Sequence, residues 1–278
     1  MNNIIYNLSD RFPVSPEFKI IYRNMVEKGS LESSDKKIMV LSIVRNIASK
    51  YKYCLKTVKD LLKNFHESSC VCLYENDSID STATMIKDHI SNHEGYSNFY
   101  LFSETLNTPY LPLSKSKIRT TALANARNKC YNLSKSIMDH PDFYIVLDMD
   151  FTSISIEGIL NTFGWLHTNS NISAMCGNSY LEIISQPKSL HNYDSFAFRL
   201  NYWEYMDPFW FPNFNLPIGS IPIPVNSGFG GCCVYKSHLY EDLYTGEDCE
   251  HVTLHKSLKL KYKEFNLYYN PSQILLLH

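Results

Sequence analysis

The chain has 278 residues, of which 44% are hydrophobic and 19% charged, and its formal net charge is −2. That length is enough to bury a sizeable core, and the near-neutral balance excludes both a polybasic nucleic-acid binder and a disordered acidic tail. No glycine lies between Gly29 and Gly95, which excludes a GxGxxG or phosphate-loop signature in the first strand–helix–strand unit. A nucleotide bound there must be met by side chains and a metal.

Residues 1–35 read as a polar lead-in with Pro13 and Pro16, followed by a helix over Glu17–Lys28. Residues 38–44 form an unbroken apolar run of strand length, the pattern of a buried parallel strand. Ile47, Tyr51, Leu55, Val58, Leu61, Leu62 and Phe65 follow at helical spacing. A second strand, Cys70–Tyr74, ends in Glu75-Asn76-Asp77-Ser78-Ile79-Asp80. A helix over Ala83–Ser91 leads to a third strand at Phe99–Phe102. Lys117–Lys135 reads as a helix, and Tyr144–Leu147 as a fourth strand that stops at Asp148-Met149-Asp150. This alternation predicts an α/β fold with a mostly parallel central sheet flanked by helices.

The second half has a different texture. Strands are expected at Tyr193–Arg199, Gly228–Tyr235 and Glu264–Tyr269, with a helix near Cys249–Leu260. The segment from Tyr202 to Pro224 carries five of the twelve prolines and two of the three tryptophans. One domain over residues 36–278 is expected, with two functional halves, one from 36 to about 150 and a mixed one from about 151 to 278. The eight cysteines show no CxxC spacing and most lie in apolar runs, so reduced, buried thiols are expected. No apolar run reaches the ~18 residues of a membrane span, and the first residues lack a signal-peptide pattern. A soluble, cytoplasmic protein is the expectation.

The sharpest chemical signal is Asp148-Met149-Asp150. Two carboxylates where a buried strand exits offer hard oxygen ligands to Mn²⁺ or Mg²⁺, at the strand ends where α/β sheets collect ligands. Asp150 is expected to bind the metal directly, and Asp148 through water or by holding a ribose. The alternative is a solvated strand end. Arginine usage points the same way: against 20 lysines there are six arginines, and Arg45, Arg119, Arg127 and Arg199 fall where they could face a site. Guanidinium forks suit phosphate, although each could instead anchor a helix to a strand. Glu75 and Asp77, at the second strand exit, could accept from a ribose hydroxyl or a base N–H. Asp80 reads as a structural cap. Near the end, Asp248, Glu250, His251 and His255 gather at a predicted helix start, and a carboxylate with a histidine there could complete the site. Tyr202–Phe214, with Trp203 and Trp210, offers aromatic faces for a sugar acceptor, or simply packs beneath a long loop.

Taken in order, these motifs resemble GT-A fold glycosyltransferases, in particular the fungal capsule-associated α-1,3-mannosyltransferase family. The similarity is carried by Tyr74-Glu75-Asn76-Asp77-Ser78-Ile79-Asp80-Ser81-Thr82, by Leu123-Ala124-Asn125-Ala126-Arg127-Asn128, by Asp194-Ser195-Phe196-Ala197-Phe198-Arg199 and by the closing pair Glu250 and His255. The resemblance implies a GDP- or UDP-sugar donor, a divalent cation, a glycan acceptor and retention at the anomeric carbon. It also implies His255 as a third metal ligand, with His251 the fallback, Glu250 or Asp248 as the acid facing the acceptor hydroxyl, and Arg199 on the acceptor side. The competing functions are a sugar-phosphate nucleotidyltransferase, which needs a Gly-rich loop where Arg45-Asn46-Ile47-Ala48 stands, and a carbohydrate-binding module, which leaves the carboxylate pair unexplained.

Overall fold

A computed structural model describes residues 8–109, 115–183 and 189–277. The described residues begin with a short helix α1 (Leu8–Arg11) and a longer α2 (Lys19–Ser33). Next come β1 (Ile38–Val44), α3 (Tyr51–Leu62), β2 (Cys70–Asn76), α4 (Thr82–Asn92), β3 (Phe99–Glu104), α5 (Lys117–Ser134) and β4 (Phe143–Leu147). The apolar runs become the central strands, and β3, β2, β1 and β4 lie side by side in that order, all parallel. Alternation along β1 serves both faces. Ile38 and Val40 pack into one core with α3 and later α6, while Met39 and Leu41 pack into a second with α5 and later α7.

The second half contains β5 (Ser153–Ile154), α6 (Ile156–Thr168), β6 (Ala174–Ile183), β7 (Ser189–Asn192), β8 (Ile223–Val225), β9 (Cys232–Lys236), α7 (Glu250–Lys261) and β10 (Leu267–Leu277). It extends the sheet beyond β4 in the order β9, β6, β10, β5 with mixed directions. Helix α6 and strand β6 are absent from the sequence expectation, for identifiable reasons. α6 is buried on nearly all sides and carries Gly158 and Gly164, so it shows no amphipathic stripe. Its start is fixed by the Ser155 hydroxyl, which accepts from the Gly158 N–H at 2.9 Å. β6 is interrupted in sequence by Gly177-Asn178-Ser179, yet this stretch is fully covered.

Two further expectations are corrected. Residues Tyr193–Arg199 do not form a strand. Asp194 adopts a positive φ of 76°, a turn follows from its carbonyl to the Ala197 N–H, and only Arg199 bridges to Ser227. The strand expected from Gly228 begins at Cys232, because Gly230 and Gly231 take positive φ angles of 59° and 70°. All eight cysteines are free and buried, and among the described residues no helix is long and apolar enough to cross a membrane.

The described part of the N-terminal lead-in, residues 8–35, is built into the body. α2 lies against α6 at a contact where a Cβ on Gly164 would sit 2.0 Å from the Met25 carbonyl oxygen. Only glycine allows backbones that close. Gly164→Ala should therefore cost about 1–3 kcal/mol of stability, seen as a lower thermal unfolding midpoint. An unchanged midpoint would contradict the close α2–α6 contact.

Candidate active site

The parallel half reverses its winding between β1 and β4. The chain steps outward from β1 to β2 and β3, then returns to the other side of β1. Such a reversal opens a crevice at the carboxyl ends of the strands. Here it opens a cleft of about 640 Å³, lined by Arg45 just after β1, Asp148 and Asp150 just after β4, Arg119 and Arg127 from α5, and Glu250 and His251 from α7.

Arg127 organises the cleft. Buried at 6% exposure, it donates from Nε to Glu250 Oε1 at 3.1 Å and from Nη2 to Asp148 Oδ1 at 3.0 Å. Its guanidinium carbon lies 4.9 Å from the Phe229 ring centre, and its Nη1 is buried with no hydrogen-bond partner among the described residues. One side chain thus ties the exit of β4 to the start of α7. The loop before β9 adds a backbone tie: the Gly230 N–H donates to Asp194 Oδ2 at 3.0 Å, and the Gly231 carbonyl accepts from the Asp148 N–H at 2.8 Å.

Negative charge is concentrated here. Burial, countered by the Arg127 guanidinium and reinforced by the Asp150 carboxylate, leaves the Asp148 carboxyl above its ordinary range. Burial also pushes Asp194 up to about 7, helped by the Glu250 and Asp148 carboxylates. His251 stacks on Phe229 with ring centres 3.6 Å apart, and neither ring nitrogen has a hydrogen-bond partner among the described residues. Burial, with Arg127 and His255 nearby, drives its pKa well down, so its ring is neutral. Among the described residues no three His, Cys, Asp or Glu side chains form a ready-made metal nest. The donors that face the cleft are nonetheless hard carboxylate oxygens, the type Mn²⁺ and Mg²⁺ take, and Arg127 is shared between two of them. They fit a divalent cation whose shell is completed by other oxygens.

The other sequence candidates lie outside the cleft lining. Glu75 braces the β2 exit, accepting from the Ser78 N–H at 2.8 Å and from the Ser103 hydroxyl. Asp77 accepts from the Leu106, Asn107 and Thr108 N–H groups at 2.8–3.0 Å and so shapes the loop after β3, which forms one wall of the cleft. Asp80 does the structural work expected of it, accepting from the Thr82 and Ala48 N–H groups. Arg199 is fully buried and spends its donors on the carbonyls of Phe196, Phe198 and Trp203 and on Asp248 at 3.0 Å. The pair Arg199–Asp248 is an internal brace, with neither partner in the cleft lining. His255 is also fully buried, its two ring nitrogens engaged by the Ser227 and Tyr235 hydroxyls at 2.9 and 2.8 Å. Trp203 lines a separate cavity of about 290 Å³, and Trp210 packs against Phe198, Phe211 and Phe214.

Sequence reasoning did not single out Asp194, Tyr193, Glu104 or Lys129, all of which line the cleft. Glu104 was within reach: as the last residue of β3 it stands at a strand exit, like Asp148. Asp194 gives a pH signature. Its carboxyl holds in the folded state a proton that the unfolded chain releases near the ordinary value of 3.8. Its ionisation therefore weakens the fold as pH rises from about 4 toward 7. In metal-free buffer, Asp194→Asn should gain thermal midpoint relative to wild type between pH 5 and pH 8. A gap that stays constant or shrinks would contradict the assignment.

No family model matches the chain, and no curated protein matches its sequence. Solved structures do match its shape. One is the mannosyltransferase PcManGT from Pyrobaculum calidifontis in complex with GDP-Man and Mn²⁺, with a TM-score of 0.53 and 11% identity over 92% of this chain and 68% of that one. Another is GalNAc-T7 with UDP, GalNAc and Mn²⁺, with a TM-score of 0.52 and 10% identity over 96% of this chain. This chain spans 53% of GalNAc-T7. Identities this low speak to the fold alone, and on that evidence the chain has the α/β fold of GT-A glycosyltransferases.

Proposed function

We propose that the protein is a metal-dependent glycosyltransferase that moves a hexose, mannose among the candidates, from a nucleoside-diphosphate sugar to a hydroxyl of a glycan or similar acceptor. The observation that carries this reading is the convergence of three of the six arginines with Asp148 and Asp150 in one cleft at the β1/β4 reversal. In a chain whose default cation is lysine, that density of guanidinium groups suits phosphate oxygens.

Arg119, which lines the cleft from α5, and Arg45, which gives Nη2 to the Thr108 carbonyl at 3.0 Å but has its Nε buried and unpartnered among the described residues, supply donors to the diphosphate. Asp148 and Asp150 would hold the divalent cation, and the neutral His251 ring lines the same cleft. A bound cation supplies neutralisation of the charge that builds on the departing diphosphate. Transfer breaks the bond between the anomeric carbon and the diphosphate oxygen and forms one to the acceptor oxygen, whose proton must leave. Glu250 and Asp194 are the carboxyl groups of the chain placed for that proton if the reaction inverts. If it retains, as the fungal mannosyltransferase resemblance suggests, the departing diphosphate takes the proton and these groups orient the acceptor. The acceptor would enter beside Tyr193 and Phe196, the rings that border the cleft next to Asp194. Trp203 and Trp210 are less well placed.

The test is donor hydrolysis across a panel of nucleotide-sugars with Mn²⁺. At least one donor should be cleaved, and EDTA should abolish cleavage. Asp150→Asn should lower it on the order of 10²-fold or more, the loss of several kcal/mol of charge stabilisation. Undiminished turnover in EDTA, or by the Asn variant, would overturn the metal assignment. No cleavage or transfer from any donor would overturn the enzymatic one.

A further inference from the structure

We infer that Glu104 and Lys129 read the nucleobase of the donor and select guanine over uracil. This inference rests on the nucleoside-diphosphate reading of the cleft.

The cleft runs across the ends of four adjacent parallel strands. Asp148 and Asp150 mark its β4 end, and Glu104 closes β3 at the other, three strand spacings or roughly 14 Å away. A diphosphate placed beside the aspartates of the β4 end and Arg45 after the neighbouring β1 leaves the base to lie toward β2 and β3. There α5 offers Ala122, Ala126 and Lys129 at positions i, i+4 and i+7, one face of the helix, and all three line the cleft together with Ile43. The alanines leave room for a flat ring. Ile118 and Leu106 also line this space and are 71% and 50% exposed, apolar side chains that a stacked base would cover.

At the edge of that bed Lys129 Nζ lies 2.9 Å from Glu104 Oε1, and the Tyr74 hydroxyl lies 3.4 Å from Glu104 Oε2. Both charged groups remain partly exposed to the cleft. An exposed ion pair of this kind adds little to stability, so stability gives a weak reason for a lysine and a glutamate to share a cleft wall. Recognition gives a stronger one. The Watson–Crick edge of guanine presents, in order, the O6 acceptor, the N1–H donor and the N2 amino donor. An ammonium beside a two-oxygen acceptor matches that order, with Lys129 donating to O6 and the Glu104 carboxylate accepting from N1 and N2. Uracil presents acceptor, donor, acceptor, so its O2 would face the second carboxylate oxygen with no hydrogen between them. Adenine and cytosine would set an amino donor against the ammonium. Discrimination by an unmatched polar group is the strongest kind a binding site offers.

Calorimetric titration of the full chain with GDP, UDP and IDP, each with Mn²⁺, tests the assignment. IDP keeps O6 and N1–H but lacks the N2 amino group. Wild type should bind GDP at least about tenfold tighter than UDP, with IDP weaker than GDP. Glu104→Gln should weaken GDP by about 10- to 100-fold, erase the GDP–IDP difference and change UDP by less than about threefold. Lys129→Met should weaken GDP and IDP alike, and both variants should keep the wild-type melting temperature. Wild-type binding of UDP as tight as GDP, or a GDP–IDP gap that survives Glu104→Gln, would overturn the inference while leaving the nucleotide cleft in place. Failure of wild type to bind any of the three would overturn the nucleotide reading, and this inference with it.

Discussion

The site depends on one buried cation. Arg127 reaches from α5 to two carboxylates on separate elements, Asp148 after β4 and Glu250 at the start of α7. It is pressed against Phe229. A lysine could not reproduce this, because a point charge lacks the planar fork that meets two acceptors while its face rests on a ring. Removing the guanidinium would leave the Glu250 carboxylate buried without compensation, the costly way to break such a contact. The same arrangement leaves Nη1 buried without a partner among the described residues, so the group that holds the cleft together also has a donor to spare.

Charge explains why a cleft so well tied internally still calls for a ligand. Asp148, Asp150, Asp194 and Glu250 share the space, and the carboxyls of Asp148 and Asp194 are raised because burial and their neighbours disfavour ionisation. Arg45 and Arg119 line the same cleft, and among the described residues Arg45 Nε has no partner. A divalent cation would relieve the first group and an anionic diphosphate would occupy the second. Neither half is complete alone, which favours a site that assembles when metal and nucleotide arrive together.

The parts legible in the sequence were those governed by burial. Strands β1, β2 and β4 are covered on both faces, so they read as apolar runs, and the aspartates at the exit of β4 fell where the sheet reverses. What stayed hidden depends on partners distant in sequence. Glu75 and Asp77 look like ligand-facing acids until Ser103 and the N–H groups of residues 106–108 are seen to take them. Arg199 and Asp248 look like two site residues until they are seen to satisfy each other. His251 and His255 are separated by one helical turn, yet Ser227 and Tyr235 claim the second and leave the first facing the cleft. Composition misled for α6 and β6, whose glycines and polar residues are buried by tight packing and side-chain pairing, as in the Thr162–Gln273 contact at 2.6 Å.

The claim that protein and diphosphate together complete the metal site can be measured directly by Mn²⁺ electron paramagnetic resonance, titrating the full chain with and without a nucleoside diphosphate. The account predicts weak Mn²⁺ binding to the protein alone and stoichiometric binding once the nucleotide is present, beyond what the nucleotide captures by itself and lost in Asp150→Asn. Tight Mn²⁺ binding indifferent to nucleotide, or a ternary signal untouched by that substitution, would contradict it.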